Sequence, residues 1–97
     1  MEHTTVTLND ENEGEILLFS DDRQAGKMVI AVSEKTLTVY HTEVDEAYRD
    51  RGFAKLLLDR LVGYARENNL KIIPLCPYVN VQFRRHPEQF ADIWQRE

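Results

Sequence analysis

The most constraining feature of the sequence is a short glycine turn, residues 48–55 (YRDRGFAK), between two segments of different periodicity. Residues 37–44 before it alternate on a β-branched and aromatic background, which predicts a strand. Apolar residues at helical spacing follow it, so we expect a helix beginning near Ala54. The first N–H groups of a helix have no intrahelical partner, and the helix dipole is positive there. Strand, glycine turn and helix in this order therefore predict a site for an anionic phosphate group.

Basic residues in the turn strengthen this prediction. Gly52 has no Cβ, so backbone amides can come close to a ligand, and Arg49, Arg51 and Lys55 add positive charge. The alternative is an ordinary strand-to-helix turn with arginines on the surface, and the turn alone does not separate the two. The spacing G-x-x-x-x-G-K-[ST] does not occur in the sequence, which excludes a Walker-type phosphate loop.

The helix after the turn is the firmest secondary-structure prediction. Its apolar stripe at helical spacing consists of Ala54, Leu57, Leu58, Leu61, Val62 and Ala65. Asn68-Asn69 marks its C-terminal end, and residues 71–75 follow as a strand. Strand, helix and strand then form a βαβ unit with one parallel pair. Pro74 cannot donate to a ladder, so pairing must fail on one side of that last strand.

The N-terminal part of the sequence predicts antiparallel strands. Residues 6–8 and 15–19 flank a polar turn and form a hairpin. Residues 20–26 are the next predicted turn, and the continuous apolar run 28–32 predicts a central strand.

The elements together predict an α/β (α+β) fold. It has a mixed, mostly antiparallel sheet with one central parallel βαβ crossover, followed by C-terminal helices. Residues 78–94 are expected to form two short helices interrupted at His86-Pro87. With 97 residues, the chain is expected to be a single domain, residues 1–97, with one modest core. We expect a ligand site at the carboxyl ends of the strands.

Charge and cysteine content limit the classes of function. A formal net charge of −5 argues against nucleic acid as the main partner and mildly favours a cationic one. The single cysteine excludes an intrachain disulfide, so a reducing, cytoplasmic setting is expected. The first residues resemble no signal peptide, and no apolar run is long enough to span a membrane.

Two parts of the sequence resemble a known superfamily. Arg49-x-x-Gly52-x-Ala54 resembles the acetyl-CoA pyrophosphate loop, Q/R-x-x-G-x-G/A, of GNAT N-acetyltransferases. Residues 73–79 and 83–88, together with residues 39–44, are similar to a small subgroup, the YjdJ-type GNAT-like proteins. The resemblance covers nearly the whole chain and implies a GNAT-like fold that binds acetyl-CoA, or coenzyme A, as cosubstrate.

The resemblance also implies a set of cofactor contacts. The matching residues are Val44, Arg49, Asp50, Arg51, Gly52, Phe53, Ala54 and Lys55. The amides of residues 51–54 would hold the pyrophosphate, Lys55 would neutralise phosphate charge, and Val44 would pair its backbone with the pantetheine amide. The two central parallel strands would splay, and Pro74 is consistent with a ladder that stops there.

Cys76 and His41 are the predicted catalytic residues. Cys76 ends a strand beside the expected thioester, where it would take the acetyl group or orient the acceptor, unless it is a small buried hydrophobe. His41 would accept a proton from Cys76 or from an incoming ammonium, unless it is a core histidine with a structural hydrogen bond. Glu43 shares a face with His41 by period two and is the other possible base, although a solvated carboxylate is the simpler interpretation.

The acceptor and mechanism remain open at this point. Larger GNAT enzymes insert helices between the first two strands, and here only a short polar turn is available, so the acceptor side should be open. A protein amine and a polyamine both fit, as do direct transfer and a two-step route through acetylated Cys76. The alternatives are a non-catalytic CoA-binding adaptor or sensor, and an interaction domain with a vestigial loop. The chain is expected to be a monomer or a weak dimer.

Two further groups of residues have simpler interpretations than a binding site. Arg84-Arg85-His86 would contact the cofactor's 3′-phosphate or an acidic partner, but a solvated helix face is favoured. His3 and His86 show no metal-ligand spacing with Cys76, so no zinc site is predicted.

Overall fold

A computed structural model describes residues 1–96 and shows one five-stranded sheet in the order β1-β2-β3-β4-β5. The elements are β1 (Glu2–Leu8), β2 (Glu13–Ser20), β3 (Arg23–Val32), β4 (Thr36–Val44), a 3₁₀ turn (Glu46–Tyr48), α1 (Phe53–Glu67), β5 (Lys71–Pro74) and α2 (Pro77–Arg85). The first four strands pair antiparallel, and β4 pairs with β5 in parallel. The predicted mixed sheet with one parallel crossover is confirmed, with β3 in the centre.

The turn between β2 and β3 is tighter than the sequence suggests. Asp21 and Asp22 both adopt left-handed backbone conformations, with φ of 49° and 71°. Two such residues form the kind of turn whose twist matches the flanking strands. Strand structure therefore continues to Ser20 and resumes at Arg23, so the prediction of a turn over residues 20–26 is wrong for most of its length.

One face of the sheet packs against α1. The predicted helix stripe is confirmed at its buried positions: Leu57, Leu58, Leu61, Val62 and Ala65. At the start of the helix, Phe53 is buried in place of Ala54, which is half-buried. Val79 and Phe83 of α2 belong to the same buried cluster, so both helices share one core with the sheet.

The opposite face of the sheet is covered by no helix among the residues that the structure describes. Leu17 and Val29 are only half-buried there, and Lys27 bridges neighbouring strands through ion pairs to Glu15 at 3.3 Å and Glu43 at 3.8 Å. A short polar turn joins β1 to β2, as predicted, so no helix is inserted between them. Neither helix within residues 1–96 combines the length and apolar character needed to cross a bilayer.

Pro74 limits pairing on the outer edge of β5, not on the β4 side as expected. Ile72 donates to the Ile93 carbonyl and accepts from the Gln95 amide, so its backbone groups face outward. Alternation along a strand directs the Pro74 nitrogen outward as well. The ladder to β4 stops at Val39–Pro74 because the chain turns there, with the Leu75 amide donating back to Ile73.

The segment after α2 forms turns, not the predicted second helix. Phe90 stacks on Phe83 with ring centroids 4.7 Å apart. From the other side, Arg66 of α1 donates to the Gln89 carbonyl at 3.0 Å and to the Asp92 carboxylate at 2.9 Å. These tertiary contacts hold the segment across the end of α1, and its return brings Trp94 beside Ile72 of β5.

Candidate functional site

The region beyond the last β4–β5 pair, Val39–Pro74, is here called the wedge, and it begins beside an irregularity of β4 at Tyr40. Opposite β3, His41 pairs with Val29 and Val39 pairs with Ile30, so Tyr40 is an extra residue that forms a bulge. A bulge bends its strand and reverses the direction in which later residues point. β4 therefore continues to Val44 beyond the last residue that pairs with β5.

The bulge directs the Val44 backbone into the wedge. The Asp45 amide donates to the Ala25 carbonyl at 2.7 Å, which places the Asp45 N–H on the β3 side. Backbone groups of successive strand residues point in opposite directions, so the N–H and C=O of Val44 point away from β3. Val44 thus offers one donor and one acceptor toward the gap between the parallel strands.

Gly52 stands at the N-terminus of α1, in a conformation that favours glycine. Its φ is 74°, in the left-handed region, which costs an L-residue about 1–2 kcal/mol. A Cβ built on Gly52 would meet no atom of the described residues within 4 Å. Glycine therefore adopts this backbone conformation at the lowest cost, and the space in front of it is open to a ligand.

The amides around Gly52 lack hydrogen-bond partners among the residues that the structure describes. No side chain caps α1, and its first turn contains no acidic residue. Within residues 1–96, no carbonyl or side chain accepts a hydrogen bond from the amides of residues 50–55; the first partnered amide is that of Leu56. Unpaired N–H groups at the positive end of a helix dipole form a binding site for an anion.

Arg51 is the cation best placed beside these amides. Its guanidinium lies 5.5 Å from the centroid of the Tyr48 ring, and Tyr48 stacks on Phe53 at 5.4 Å. Phe53 is buried, so this stack anchors Arg51 to the core. Within the described part of the chain, Arg51 has no carboxylate partner, which leaves its charge available to a phosphate.

The other two cations of the loop are paired. Arg49 lies 3.4 Å from Glu46, and Lys55 lies 3.0 Å from Asp59, in both cases on the surface. In α2, burial raises the pKa of the Tyr78 hydroxyl, and the charge of Lys55 partly opposes that rise.

The predicted catalytic residues are not brought together. Cys76 is buried, its amide donates to the Val39 carbonyl at 3.0 Å, and its Sγ lies 3.1 Å from Thr42 Oγ1. His41 Nε2 lies 3.3 Å from Glu43 Oε2 on the exposed, helix-free face of β4. Adjacent residues on a strand point to opposite faces, so His41 is directed away from the face where Thr42 meets Cys76.

Comparison with known proteins decides the family. The profile of the GCN5-related N-acetyl-transferase family matches residues 15–93, which include the loop, the wedge and both helices. The chain belongs to this family. A structure of the ribosomal-protein-alanine N-acetyltransferase from Brucella melitensis biovar Abortus is 23% identical, with a TM-score of 0.66, over 91% of this chain and 65% of that one. It shows that the two proteins share the fold.

Two NATD1 proteins and one further solved structure extend the comparison. Protein NATD1 of Danio rerio is 31% identical over 92% of this chain and 74% of its own length. Protein NATD1 of Xenopus tropicalis is 36% identical over 58% of this chain, which spans only 51% of that protein. A GNAT acetyltransferase from Elizabethkingia anophelis, solved with acetyl-CoA bound, is 15% identical with a TM-score of 0.61, over 80% of this chain and 53% of that one.

Sequence reasoning missed two side chains of the site. Thr42 was not identified, although the same period of two that places His41 with Glu43 puts Thr42 on the other face. Tyr48 was not assigned a role, because only the folded loop shows it beneath Arg51. Among residues 1–96, no group of three His, Cys, Asp or Glu side chains is placed to hold a metal ion.

Proposed function

We propose that this chain binds acetyl-CoA in the wedge and transfers its acetyl group to an amine. The observation that carries the proposal is the uncapped N-terminus of α1, with Gly52 in a left-handed conformation and open space in front of it. Family membership supports acetyl transfer as the reaction. Similarity over residues 39–44, 73–79 and 83–88 is our reason for placing the chain in the YjdJ-type subgroup.

In this proposal the pyrophosphate binds the amides of residues 51–54, with Arg51 beside it. Val44 pairs its N–H and C=O with the pantetheine amide, continuing β4 where β5 has departed. When the cofactor binds, the Lys55 ammonium leaves its ion pair with Asp59 and pairs with a phosphate oxygen. Arg49 and Asp50 shape the loop, since Asp50 also has a left-handed backbone, with φ of 63°.

Direct transfer is the mechanism that the geometry favours. A base removes one proton from the acceptor ammonium, and the free amine attacks the thioester carbonyl carbon. The C–S bond then breaks, and the CoA thiolate leaves and takes up a proton. We propose His41 and Glu43, which lie within hydrogen-bonding distance of each other, as the general base, because they face the open side of the sheet at the end of β4.

The two-step route through Cys76 has weaker support. A thiol needs a proton acceptor to become a nucleophile. The polar side chain that contacts the Cys76 thiol is the neutral hydroxyl of Thr42. His41 is on the other face of β4 and is not placed to take that proton. We therefore propose that Cys76 lies beside the thioester and orients it.

Cofactor binding is tested by calorimetry with acetyl-CoA on wild type, Gly52→Glu and Gly63→Glu. Glutamate at position 52 places a negative side chain in front of the amides and should abolish binding. Gly63 lies on the same helix, and a Cβ built there also meets no atom within 4 Å. Gly63→Glu is therefore a matched control, and this variant should bind acetyl-CoA like wild type. Equal loss in both variants, or no binding by wild type, would contradict the proposed site.

Catalysis is tested by following CoA thiol release with a panel of polyamines and of peptides bearing a lysine or a free N-terminus. We expect Glu43→Gln to lower turnover by about 10²-fold or more, as loss of a general base does. Cys76→Ala should lower turnover much less than Glu43→Gln does, because the thiol orients the thioester without reacting, and should leave acetyl-CoA affinity within a few-fold of wild type. Acetylated Cys76 found by intact mass spectrometry, with activity lost in Cys76→Ala, would establish the two-step route instead.

A non-catalytic CoA-binding module is the second candidate function. The helix-free face of the sheet favours it, since no element between β1 and β2 encloses an acceptor. Cofactor binding that depends on Gly52, without turnover on any amine in the panel, would support this function over the transferase.

A further inference from the structure

A cavity at the outer edge of β5 has no role in the proposed acetyl transfer. It has a volume of about 590 Å³, within the usual range for small-molecule sites, and opens at the outer edge of β5. Its lining includes Leu75, Asn80, Arg84, Trp94 and Arg96. Among residues 1–96 no carboxylate side chain lines it, and its charged side-chain groups are two guanidiniums.

One of these guanidiniums is held in place. Arg84 Nε donates to Asn80 Oδ1 at 2.7 Å, and Asn80 Nδ2 donates to the Pro74 carbonyl at 3.3 Å. This chain of hydrogen bonds ties the guanidinium to the end of β5. Within residues 1–96, Arg84 has no carboxylate partner, so its terminal N–H groups remain for a ligand. A fixed planar fork of donors suits a carboxylate or phosphate.

The second guanidinium lies over an aromatic wall. Arg96 Cζ is 4.0 Å from the centroid of the Trp94 ring, and the indole itself lines the cavity. The segment that carries these residues is fixed to Ile72 by the backbone hydrogen bonds of Ile93 and Gln95. The cavity thus combines two cations with a planar apolar surface, and exposed Leu75 adds further apolar area.

The strand edge beside the cavity is closed to an added β-strand. Ile72 is already paired with residues 93–95, Pro74 has no N–H, and the Pro74 carbonyl accepts from Asn80. A peptide that binds by strand addition needs these backbone groups. Recognition must therefore come from side chains, which favours a small molecule over an extended peptide.

The cavity is remote from the glycine loop. Cys76, the residue before α2, has its Sγ 3.1 Å from Thr42 Oγ1 of β4, and Arg84 lies eight residues further along, about 12 Å at 1.5 Å per residue. The far end of α2 leads to the segment that Arg66 holds, at the opposite end of α1. The position of Arg84 therefore favours a ligand other than the cofactor's phosphates.

We propose that this cavity binds a small organic anion, a carboxylate or phosphate on a planar ring, with Arg84 and Arg96 on the acid group and Trp94 against the ring. Trp94 is the only tryptophan in the sequence, so its fluorescence reports on the cavity directly. Phenylacetate is the probe, with benzyl alcohol as its neutral counterpart and inorganic phosphate as the bare anion.

We expect a saturable change in Trp94 fluorescence with phenylacetate and none with benzyl alcohol. Arg84→Gln should weaken binding about tenfold, the effect of losing a charged hydrogen-bond donor, and Arg96→Gln should also weaken it. Arg85→Gln, the same substitution one residue along the helix and outside the cavity lining, should bind like wild type. Thermal melts establish that each variant is folded.

Four results would overturn the proposal. A fluorescence change that never saturates would mean random quenching, not a site. Equal affinity in the Arg84→Gln and Arg85→Gln variants would remove the guanidinium from recognition. Equal binding of benzyl alcohol would exclude anion selectivity, and phosphate binding as tightly as phenylacetate would exclude a role for the planar ring.

Discussion

Replacing Gly26 by alanine should destabilise the end of β4 that borders the wedge. A Cβ at position 26 would lie 2.9 Å from the Glu43 carbonyl oxygen, 3.3 Å from Leu57 Cδ1 and 3.4 Å from Val44 Cα. Two of these atoms belong to the backbone of β4, and Leu57 is fully buried, so none of the three can move freely. Crowding of this kind costs about 1–3 kcal/mol, which lowers the melting temperature by roughly 5–15 °C for a chain of this size.

Gly63→Ala is the matched control for this prediction. A Cβ there meets no atom within 4 Å, and the residue lies inside α1, where alanine is favoured over glycine by about 0.5–1 kcal/mol. The same substitution should therefore lower stability at position 26 and raise it at position 63. Urea and thermal unfolding followed by circular dichroism measure both. A Gly26→Ala variant as stable as wild type would refute the packing argument.

Two further predictions concern stability. Hydrogen bonds from Arg66 lower the pKa of Asp92 below its usual value, so their contribution is present above about pH 4 and is lost as the pH falls through the lower, folded-state pKa. Because the pair is exposed, Asp92→Asn should cost only about 0.5–1 kcal/mol at pH 7 and nothing near pH 2 in urea unfolding; an equal loss at both values would contradict this. Asp22→Gly should raise the free energy of unfolding by up to about 1 kcal/mol, because it relieves a left-handed residue with φ of 71°, and a destabilised variant would exclude that explanation.

The sequence predicts those parts of the fold that depend on local periodicity. The apolar stripe of α1 and its end at Asn68-Asn69 are visible in the sequence because helix period and capping are local properties. The hairpins and the parallel crossover follow from strand order and loop length. The two-residue turn at Asp21-Asp22 was missed because the sequence lacks the glycine that usually occupies the second position of such a turn.

Features that depend on contacts between distant residues could not be predicted in the same way. The segment after α2 is held by Arg66 and Phe83, which no local pattern reveals. The bulge at Tyr40 sets the direction of the Val44 backbone and separates His41 from Cys76, yet it is one extra residue in an otherwise regular strand. The glycine loop was found because strand, glycine turn with basic neighbours, and helix follow one another directly in the sequence.

The central claim is that CoA binds where the Gly52 amides and the end of β4 meet. The most direct measurement is a titration of ¹⁵N-labelled protein with CoA, followed through backbone amide shifts. The account predicts the largest changes at residues 51–55 and 42–45, with little change at Arg84 and Trp94. Changes centred on the outer edge of β5, or none at residues 51–55 at saturating CoA, would contradict it.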